Sequence, residues 1–472
     1  MRTKLYLGEE LNAVFNSNIN NRLFFNKVSI DSREVKNRGI FFAIKGNNDD
    51  GHRYVKKVIT NKNNLAVISK NFKNKRLIRT QNTLEGLRNL ASYARQRSKA
   101  KILAITGSCG KTSLKNLLNS SLSRFGKTHC SPKSFNNHFG APYSLANLNS
   151  DDKFGIFELG MSSKGEIDNL VNLVKPNIAI ITNIGPAHLE NFQNISGICK
   201  AKAEIMNGIQ QDGVIILNRD DKFFNSLKKI ANNKKISILT FGFSKSDVQI
   251  RKSSAKISFK INNKIFNFKI KNFNKSYLYN VAATLCVHYY LNHNIKFLKN
   301  NFSNFKITEG RGNEKHIKIN NKKIILINDS YNSNPMSLNE AIHNFSLRKK
   351  NKHRKILIVG DMLELGKRSK YYHQQAAKIL NKTNIDKVYC IGSEVRHTYQ
   401  KLNRSKRGML VKNISFLKEN IFNLLENNDI LLVKSSNANL NDSILFSNLM
   451  GVNPCLTATL FSSQSEGKPQ LL

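Results

Sequence analysis

The sequence predicts an α/β protein of three domains, with a parallel sheet at the centre and a doubly wound α/β domain at the C-terminal end. Three observations carry this. The chain has 472 residues, a length that suggests about three domains. Hydrophobic residues make up 40% of it, enough to build cores and to exclude wholesale disorder. From about residue 99 onward, short apolar runs alternate with amphipathic stretches of helical spacing, the rhythm of a parallel sheet covered by helices on both faces.

The elements follow in order. In residues 1–98, "RGIFFAIKG" and "NLAVISK" read as strands, and "TLEGLRNLASYARQR" has the spacing of a helix leading into the next domain. In 99–306, "KILAITG" precedes "KTSLKNLLNSSLSRF", "KFGIFELG" precedes "EIDNLVNLV", and "NIAIITNIG" precedes "ISGICKAKAEIMNGI". "GVIILNRDD" ends a further strand, 236–270 is a run of short strands, and "SYLYNVAATLCVHYYL" returns to helix. In 307–450 the strands are "KIILINDS", "KILIVGDM", "KVYCIGS" and "DILLVKSS", separated by helical stretches. Asp329, Asp361 and Lys434 follow those strand ends, where ligands of doubly wound sheets sit. The tail, 451–472, has no pattern and stays unassigned.

Lys and Arg total 76 against 31 Asp and Glu, a formal net charge of +45. Such a field attracts anions: nucleic acid, acidic membrane or phosphorylated substrates. The basic residues are spread along the chain, as in "NNKKIILIN" and "NFKNKR". No basic block stands apart, so compositional drift accounts for the charge better than a nucleic-acid surface. The six cysteines show no C-x-x-C spacing, which argues against a zinc site or a dithiol pair and for a reducing compartment. The start, "MRTKLYLGEELNAVF", lacks an apolar core of leader length, and no apolar run spans a bilayer. A soluble, cytoplasmic protein is expected.

The stretch with the most chemistry is Thr106-Gly107-Ser108-Cys109-Gly110-Lys111-Thr112. The full phosphate-loop pattern wants a glycine where Ile105 stands. Gly107 and Gly110 still permit a turn that aims backbone N–H groups at one anion, and the helix that follows adds its dipole. Lys111 would reach the outer phosphates and Thr112 would offer a hydroxyl to magnesium. A helix N-terminus that merely needs glycine is the alternative, and the strand before and helix after favour phosphate. Glu158, Asn183 and His188 follow two other strand ends of the same sheet. Singly each is ordinary; together they suit magnesium, which prefers oxygen ligands and few protein contacts. Lys202, on a helix in a lysine-rich chain, reads by itself as a solvated charge. "NDSYNSNP" and "GDMLELG" read by themselves as an Asx-rich turn and a polar loop.

"AITGSCGKTS", "FELG", "TNIGPAHLE" and "KAKAEI" resemble the Mur ligases, ATP-dependent enzymes of peptidoglycan assembly, whose phosphate loop has this shortened form. The resemblance runs from "DSREVKNRGIFFAIKG" to "LLVKSSN". It implies a UDP-sugar-binding domain (1–98), a central phosphate-loop ATPase domain (99–306), and a C-terminal domain (307–450) that takes the incoming amine and closes on ATP. "NDSYNSNP" and "GDMLELG" look like the branch that joins D-alanyl-D-alanine to UDP-N-acetylmuramoyl-tripeptide through an acyl phosphate. The D-N-P-R motif of the preceding ligase is missing.

By the same resemblance, Thr106, Gly107, Ser108, Cys109, Gly110, Lys111 and Thr112 cradle ATP, with Asn280, Arg311, Asp329 and Tyr331 also on the nucleotide. Thr112 and Glu158 would bind one Mg2+ and His188 would help bind a second; Lys202 matches a carbamylated lysine that holds metal. Lys111, His188 and Lys202 are the catalytic candidates. Ser32, Arg33, Asp50 and His52 match the UDP-sugar region, Asn136 and Asn137 a substrate-side loop, and Asn332 the cleft of the third domain. The implied partners are the tripeptide nucleotide and D-alanyl-D-alanine, without specific nucleic acid or a membrane span, and a monomer is expected. The chain departs from the family in three places. Ser276-Tyr277-Leu278-Tyr279-Asn280 replaces H-N-x-x-N, Asn328 replaces a common acid, and Lys434-Ser435-Ser436 replaces Lys-Gly-Ser. Another Mur-type or folylpolyglutamate-type ligase, or a basic ATP-switched nucleic-acid-binding protein, are the alternatives.

Overall fold

A computed structural model describes residues 4–46, 49–72, 74–253, 256–270, 274–303, 305, 307–319, 321–348, 353–412, 420–421 and 423–436. The unassigned tail lies outside them. The described residues form two compact units, one within Met1–Ile184 and Cys199–Phe305, the other within Gly185–Ile198 and Lys306–Leu471.

After a short two-stranded sheet and a helix (Gly8–Phe15), the first unit has a small sheet of four parallel strands, β1 (Lys27–Ser29), β2 (Gly39–Phe42), β3 (Leu65–Ile68) and β4 (Leu77–Arg79), in that order. β2 and β3 are buried at every residue, the mark of a strand covered on both faces. Helix α1 (Thr83–Arg97) begins where Asn82 accepts the N–H groups of Leu84 and Glu85, an N-cap that satisfies two orphan donors.

The second sheet of this unit has nine strands: β5 (Lys101–Thr106), β6 (Thr128–Cys130), β7 (Phe154–Glu158), β8 (Ile178–Ile181), β9 (Val214–Asn218), β10 (Ser237–Gly242), β11 (Val248–Lys252), β12 (Ile257–Ile261) and β13 (Lys264–Phe266). Their order is β13-β12-β11-β10-β9-β8-β5-β7-β6, parallel from β6 to β10. Strand β5 therefore lies between β7 and β8, and the chain leaves it first to one side and later to the other. Such a switch point opens a crevice beyond the strand's C-terminal end, where the glycine turn stands. Helices α2 (Lys111–Leu122), α3 (Gly140–Ala146), α4 (Glu166–Val174), α5 (Ile195–Ala203), α6 (Phe224–Asn233) and α7 (Lys275–Tyr290) accompany the sheet.

α7 carries a buried imidazole against α2. His288 Nε2 lies 2.9 Å from Ser121 Oγ and His288 Nδ1 lies 2.9 Å from His293 Nδ1. The His293 ring stacks on Phe125 at 4.1 Å. Burial, with His293 beside it, pushes the His288 pKa down to about 3. The unfolded imidazole titrates near 6.5 and so binds more protons through this window. Stability is then intact above pH ~6.5 and falls as the pH drops toward ~3, by on the order of 1 kcal/mol per pH unit. Thermal melts from pH 7.5 to 5 are expected to show that slope in the wild type and a shallower one in His288→Gln.

The second unit is built on six strands: β14 (Asn313–Ile319), β15 (Lys322–Asp329), β16 (Lys355–Gly360), β17 (Lys387–Ile391), β18 (Arg407–Val411) and β19 (Ile430–Lys434). Their order is β14-β15-β19-β16-β17-β18, parallel except for β14 at the edge. Helix α8 (Pro335–Ser346) starts at a capping box formed by Asn334 and Ser337, which explains the Asn-rich turn of "NDSYNSNP". Helices α9 (Ser369–Asn381) and α10 (Arg396–Lys401) follow. Asp329 and Lys434 end adjacent strands, and Asp361 follows the third. Among the described residues no helix is long and apolar enough to cross a membrane.

Candidate active site

In the first unit the turn after β5 is a pre-shaped loop. Gly107 has φ 149°, and a Cβ there would lie 1.9 Å from Thr182 Oγ1. Gly110 has φ 83°, the left-handed region that side chains resist. The end of β8 braces the loop. Asn183 accepts the Ser108 N–H on its carbonyl at 3.0 Å and the Cys109 N–H on its Oδ1 at 2.9 Å. The Thr182 hydroxyl donates to the Cys109 carbonyl at 2.6 Å. Asn183, proposed from sequence as a metal-side group, thus holds the loop's shape. Lys111, the first residue of α2, folds back and donates to the Gly107 carbonyl at 2.8 Å. Thr106 is buried, its hydroxyl without a hydrogen-bond partner.

β7 delivers Glu158 to the same place. The Thr112 hydroxyl donates to Glu158 Oε2 at 2.8 Å, and Asn136 Nδ2 donates to Oε1 at 2.8 Å. Thr112 Oγ1 also lies 3.3 Å from Ser134 Oγ. A hydroxyl and a carboxylate at the mouth of a phosphate loop are hard oxygen donors of the kind Mg2+ takes. Asn137 does something different: its Oδ1 accepts the Gly140 N–H at 2.9 Å and caps the start of α3.

One residue here was not singled out from sequence. Lys115 is 1% exposed, and its ammonium lies 4.0 Å from Glu158 Oε2. It donates to the Ser131 carbonyl at 2.6 Å and to that of Lys133. It ties the 131–137 loop to α2 and places a fixed cation behind Glu158. The available signal was its position: Lys115, Leu118 and Leu122 share one helical stripe, and both leucines are fully buried. Lys115→Met would strand two carbonyls and a buried carboxylate. The expected cost is about 3 kcal/mol, measurable by urea unfolding.

Lys202 is also 1% exposed. Burial, and then Lys111, push its pKa well below the ordinary lysine value. The solvated-charge reading therefore does not hold. Asn280, on α7, is buried, with its Oδ1 3.5 Å from where a Gly110 Cβ would stand. It faces the phosphate loop.

The first sheet gathers a second group. Asp50 Oδ1 accepts the His52 N–H at 3.0 Å and faces His52 Nδ1 at 2.6 Å. The Ser69 N–H donates to His52 Nε2 at 3.0 Å. Nε2 is therefore the acceptor, and Nδ1 carries the proton toward Asp50. Lys70 pairs with Asp50 Oδ2 at 2.6 Å and holds that carboxyl well below its usual range. A cavity of about 380 Å3, lined by Ser69, Arg79, Thr80 and Gln81, shares Ser69 with this network. Ser32 and Arg33 form the turn after β1, where Arg33 pairs with Asp31 at 2.9 Å.

In the second unit, buried Lys434 lies 3.2 Å from Asp329 Oδ2 and donates to the Asn332 carbonyl at 2.6 Å. Burial raises the Asp329 carboxyl above its usual range, with Lys434 and Arg311 pulling the other way. The Arg311 guanidinium sits 4.1 Å over the Tyr331 ring. Arg311, Asp329, Tyr331 and Asn332 thus form one cluster with Lys434. Asp361 is engaged elsewhere, accepting the Val395 N–H at 2.7 Å. His188 Nδ1 lies 2.6 Å from Glu364 Oε2. Both residues are left-handed, φ 58° and 62°, a strain that concentrates at functional positions. Glu364 was legible only as part of "GDMLELG".

The first unit's switch-point crevice, glycine loop and loop-facing carboxylate define a phosphate-loop nucleotide-binding protein. Residues 105–288 match the family model for the Mur ligase middle domain, and 316–437 the one for the Mur ligase glutamate ligase domain. The chain belongs to the Mur ligase family. The UDP-N-acetylmuramoyl-tripeptide–D-alanyl-D-alanine ligase of Rickettsia prowazekii (strain Madrid E) is 32% identical over 449 residues, covering 92% of this chain and 97% of that protein. Among solved structures, MurF from Acinetobacter baumannii is 25% identical with a TM-score of 0.83, over 96% of this chain and 100% of that one. The MurF ligase of Thermotoga maritima in complex with ADP shares the fold, with a TM-score of 0.75 at 22% identity, over 92% of this chain and 98% of that one.

Proposed function

We infer that the chain joins D-alanyl-D-alanine to UDP-N-acetylmuramoyl-tripeptide at the expense of ATP, forming a peptide bond in peptidoglycan precursor synthesis. The family membership supports the reaction. The observation that carries the chemistry is the Thr112–Glu158 hydrogen bond at the foot of the phosphate loop. The terminal carboxylate of the tripeptide attacks the γ-phosphorus of ATP, the bond to the bridging oxygen breaks, and ADP leaves. The dipeptide amine then attacks the acyl-phosphate carbonyl; inorganic phosphate departs and the amine loses a proton.

Charge builds on phosphoryl oxygens, so this chain must present fixed cations and N–H donors there. The loop residues Thr106 to Thr112 supply the donors and Lys111 the cation. Thr112 and Glu158 are the residues that would hold one Mg2+, and His188, oriented by Glu364, would serve a second. Magnesium, when bound, neutralises charge on the phosphate oxygens. Lys202 is proposed to be carbamylated: its neutral amine adds carbon dioxide and releases a proton, turning a repelled ammonium into a carboxylate suited to metal. The burial of Lys202 beside Lys111, which favours the neutral amine, supports this. Arg311, Asp329 and Tyr331 are assigned to the nucleotide, Asn280 to the loop side of its site, and Asn332 to the incoming dipeptide's domain. Ser32, Arg33, Asp50 and His52 are assigned to the UDP-sugar. Asn136, which donates to Glu158, and Asn137, which accepts the Gly140 N–H, are assigned to the substrate-side loop.

The enzyme is proposed to act in the cytoplasm, as a monomer. None of the described cysteines is in a disulfide, which suits a reducing compartment. Phosphate release with ATP, Mg2+ and UDP-N-acetylmuramoyl-tripeptide tests the assignment, with D-alanyl-D-alanine, glutamate or a diamino acid added in parallel. Release that depends on D-alanyl-D-alanine is expected. Release that depends on another amine would overturn the substrate and keep the ligase.

A further inference from the structure

The first sheet has a second concavity, at the end away from Asp50 and His52. It holds about 310 Å3 and includes Arg38, Lys62, Lys75, Arg76, Leu23 and Phe24 in its lining. Arg38, Lys62 and Arg76 lie in the segments that enter β2, β3 and β4. Ser32 and Arg33 follow the end of β1, and Ser69 follows the end of β3. In a parallel sheet these are opposite ends of the strands, so the cleft is separate from the network around His52.

Its electrostatics are one-sided. None of the lining residues is acidic. None of the four cations forms an ion pair with another described residue. Elsewhere in the same domain, basic side chains find carboxylates: Lys27 pairs with Glu34, Arg33 with Asp31 and Lys70 with Asp50. Arg76 Nη1 is buried and has no hydrogen-bond partner. A buried guanidinium nitrogen facing no acceptor is costly, and such an atom marks a place where an external acceptor belongs. Arg38 has a left-handed backbone, φ 62°, and its guanidinium carbon sits over the Phe24 ring, 3.9 Å from the centroid. A stacked guanidinium keeps its N–H edge available for an oxyanion. Leu23, 42% exposed, adds an apolar lip.

We propose that this cleft binds a phosphate-bearing small molecule, its oxyanion held by Arg76 and Arg38 with Lys62 and Lys75 alongside. The shared chemistry is a phosphate or diphosphate group, free or carried on a lipid.

Calorimetric titration of the full-length protein with inorganic pyrophosphate, without divalent metal and at physiological salt, tests it. The wild type is expected to show two classes of site, of which Lys111→Ala removes one and Arg76→Gln or Arg38→Gln the other. The loss at the cleft should reach about tenfold in affinity, the worth of one charge-assisted hydrogen bond. Lys228→Gln, an exposed lysine on α6, makes the same charge change elsewhere and is expected to leave both classes intact. An isotherm unchanged by Arg76→Gln and Arg38→Gln would overturn the proposal. An equal loss in Lys228→Gln would overturn it too, by reducing the effect to net charge. A parallel titration with a soluble short-chain phosphatidic acid separates the sources. Tighter binding than pyrophosphate, lost in Arg76→Gln, supports a lipid headgroup; pyrophosphate binding alone supports a free phosphate.

Discussion

Replacing Lys111 by alanine is expected to lower turnover by about a thousandfold while the protein keeps its fold. The size follows from what the residue does. Removing one preorganised donor to developing charge costs roughly two to three orders of magnitude in kcat, and Lys111 is also a full cation at that position. The fold should survive because the side chain donates to a carbonyl within the loop itself, that of Gly107. The loop is held instead by Asn183, Thr182 and the steric demand at Gly107. Phosphate release should collapse, ADP should bind more weakly, and the melting temperature should stay near that of the wild type. Full turnover in the variant would remove Lys111 from the machinery.

Lys202→Ala is expected to lose activity by about a hundredfold or more and to recover part of it with formate or acetate, which would occupy the space of the missing carboxylate. Stability separates this reading from a structural one. Lys202 is buried and repelled by Lys111. Burying an amine at the cost of its water and its charge opposes folding. Lys202→Met, which keeps the volume, should therefore be at least as stable as the wild type while remaining inactive. A carbamate carbon signal from labelled carbon dioxide, present in the wild type and absent from both variants, would complete the case. Activity equal to wild type in Lys202→Ala would end the carbamate idea.

The charge is dispersed, and where the fold uses cations it buries them individually. Lys115 sits behind Glu158, Lys434 beside Asp329, and Lys355 donates to the Ser346 and Arg348 carbonyls.

Much of the molecule was legible in the chain. Parallel strands buried on both faces must be nearly continuous apolar runs, so β5, β7, β8 and β9 announce themselves. Two glycines between a strand and a helix announce an anion-binding turn, since only glycine takes those backbone angles freely. The strand-end positions of Glu158, Asp329 and Lys434 follow from the same rhythm.

Other features depended on contacts between residues far apart in sequence. Lys115 and Lys202 are two lysines among many, and only packing distinguishes a buried ammonium from a solvated one. Asn183 looks like a metal-side group until β8 is laid against β5 and its side chain meets the Cys109 N–H. The His188–Glu364 pair joins residues far apart in the chain, and the open guanidinium of Arg76 shows only once four strands are aligned. Local periodicity determined which segments became strands and helices, because burial on a pleat or a helical face writes itself into neighbouring residues. Tertiary structure decided which charged groups are desolvated and which partners they meet, because those energies depend on distance and exposure, which the order of residues does not contain.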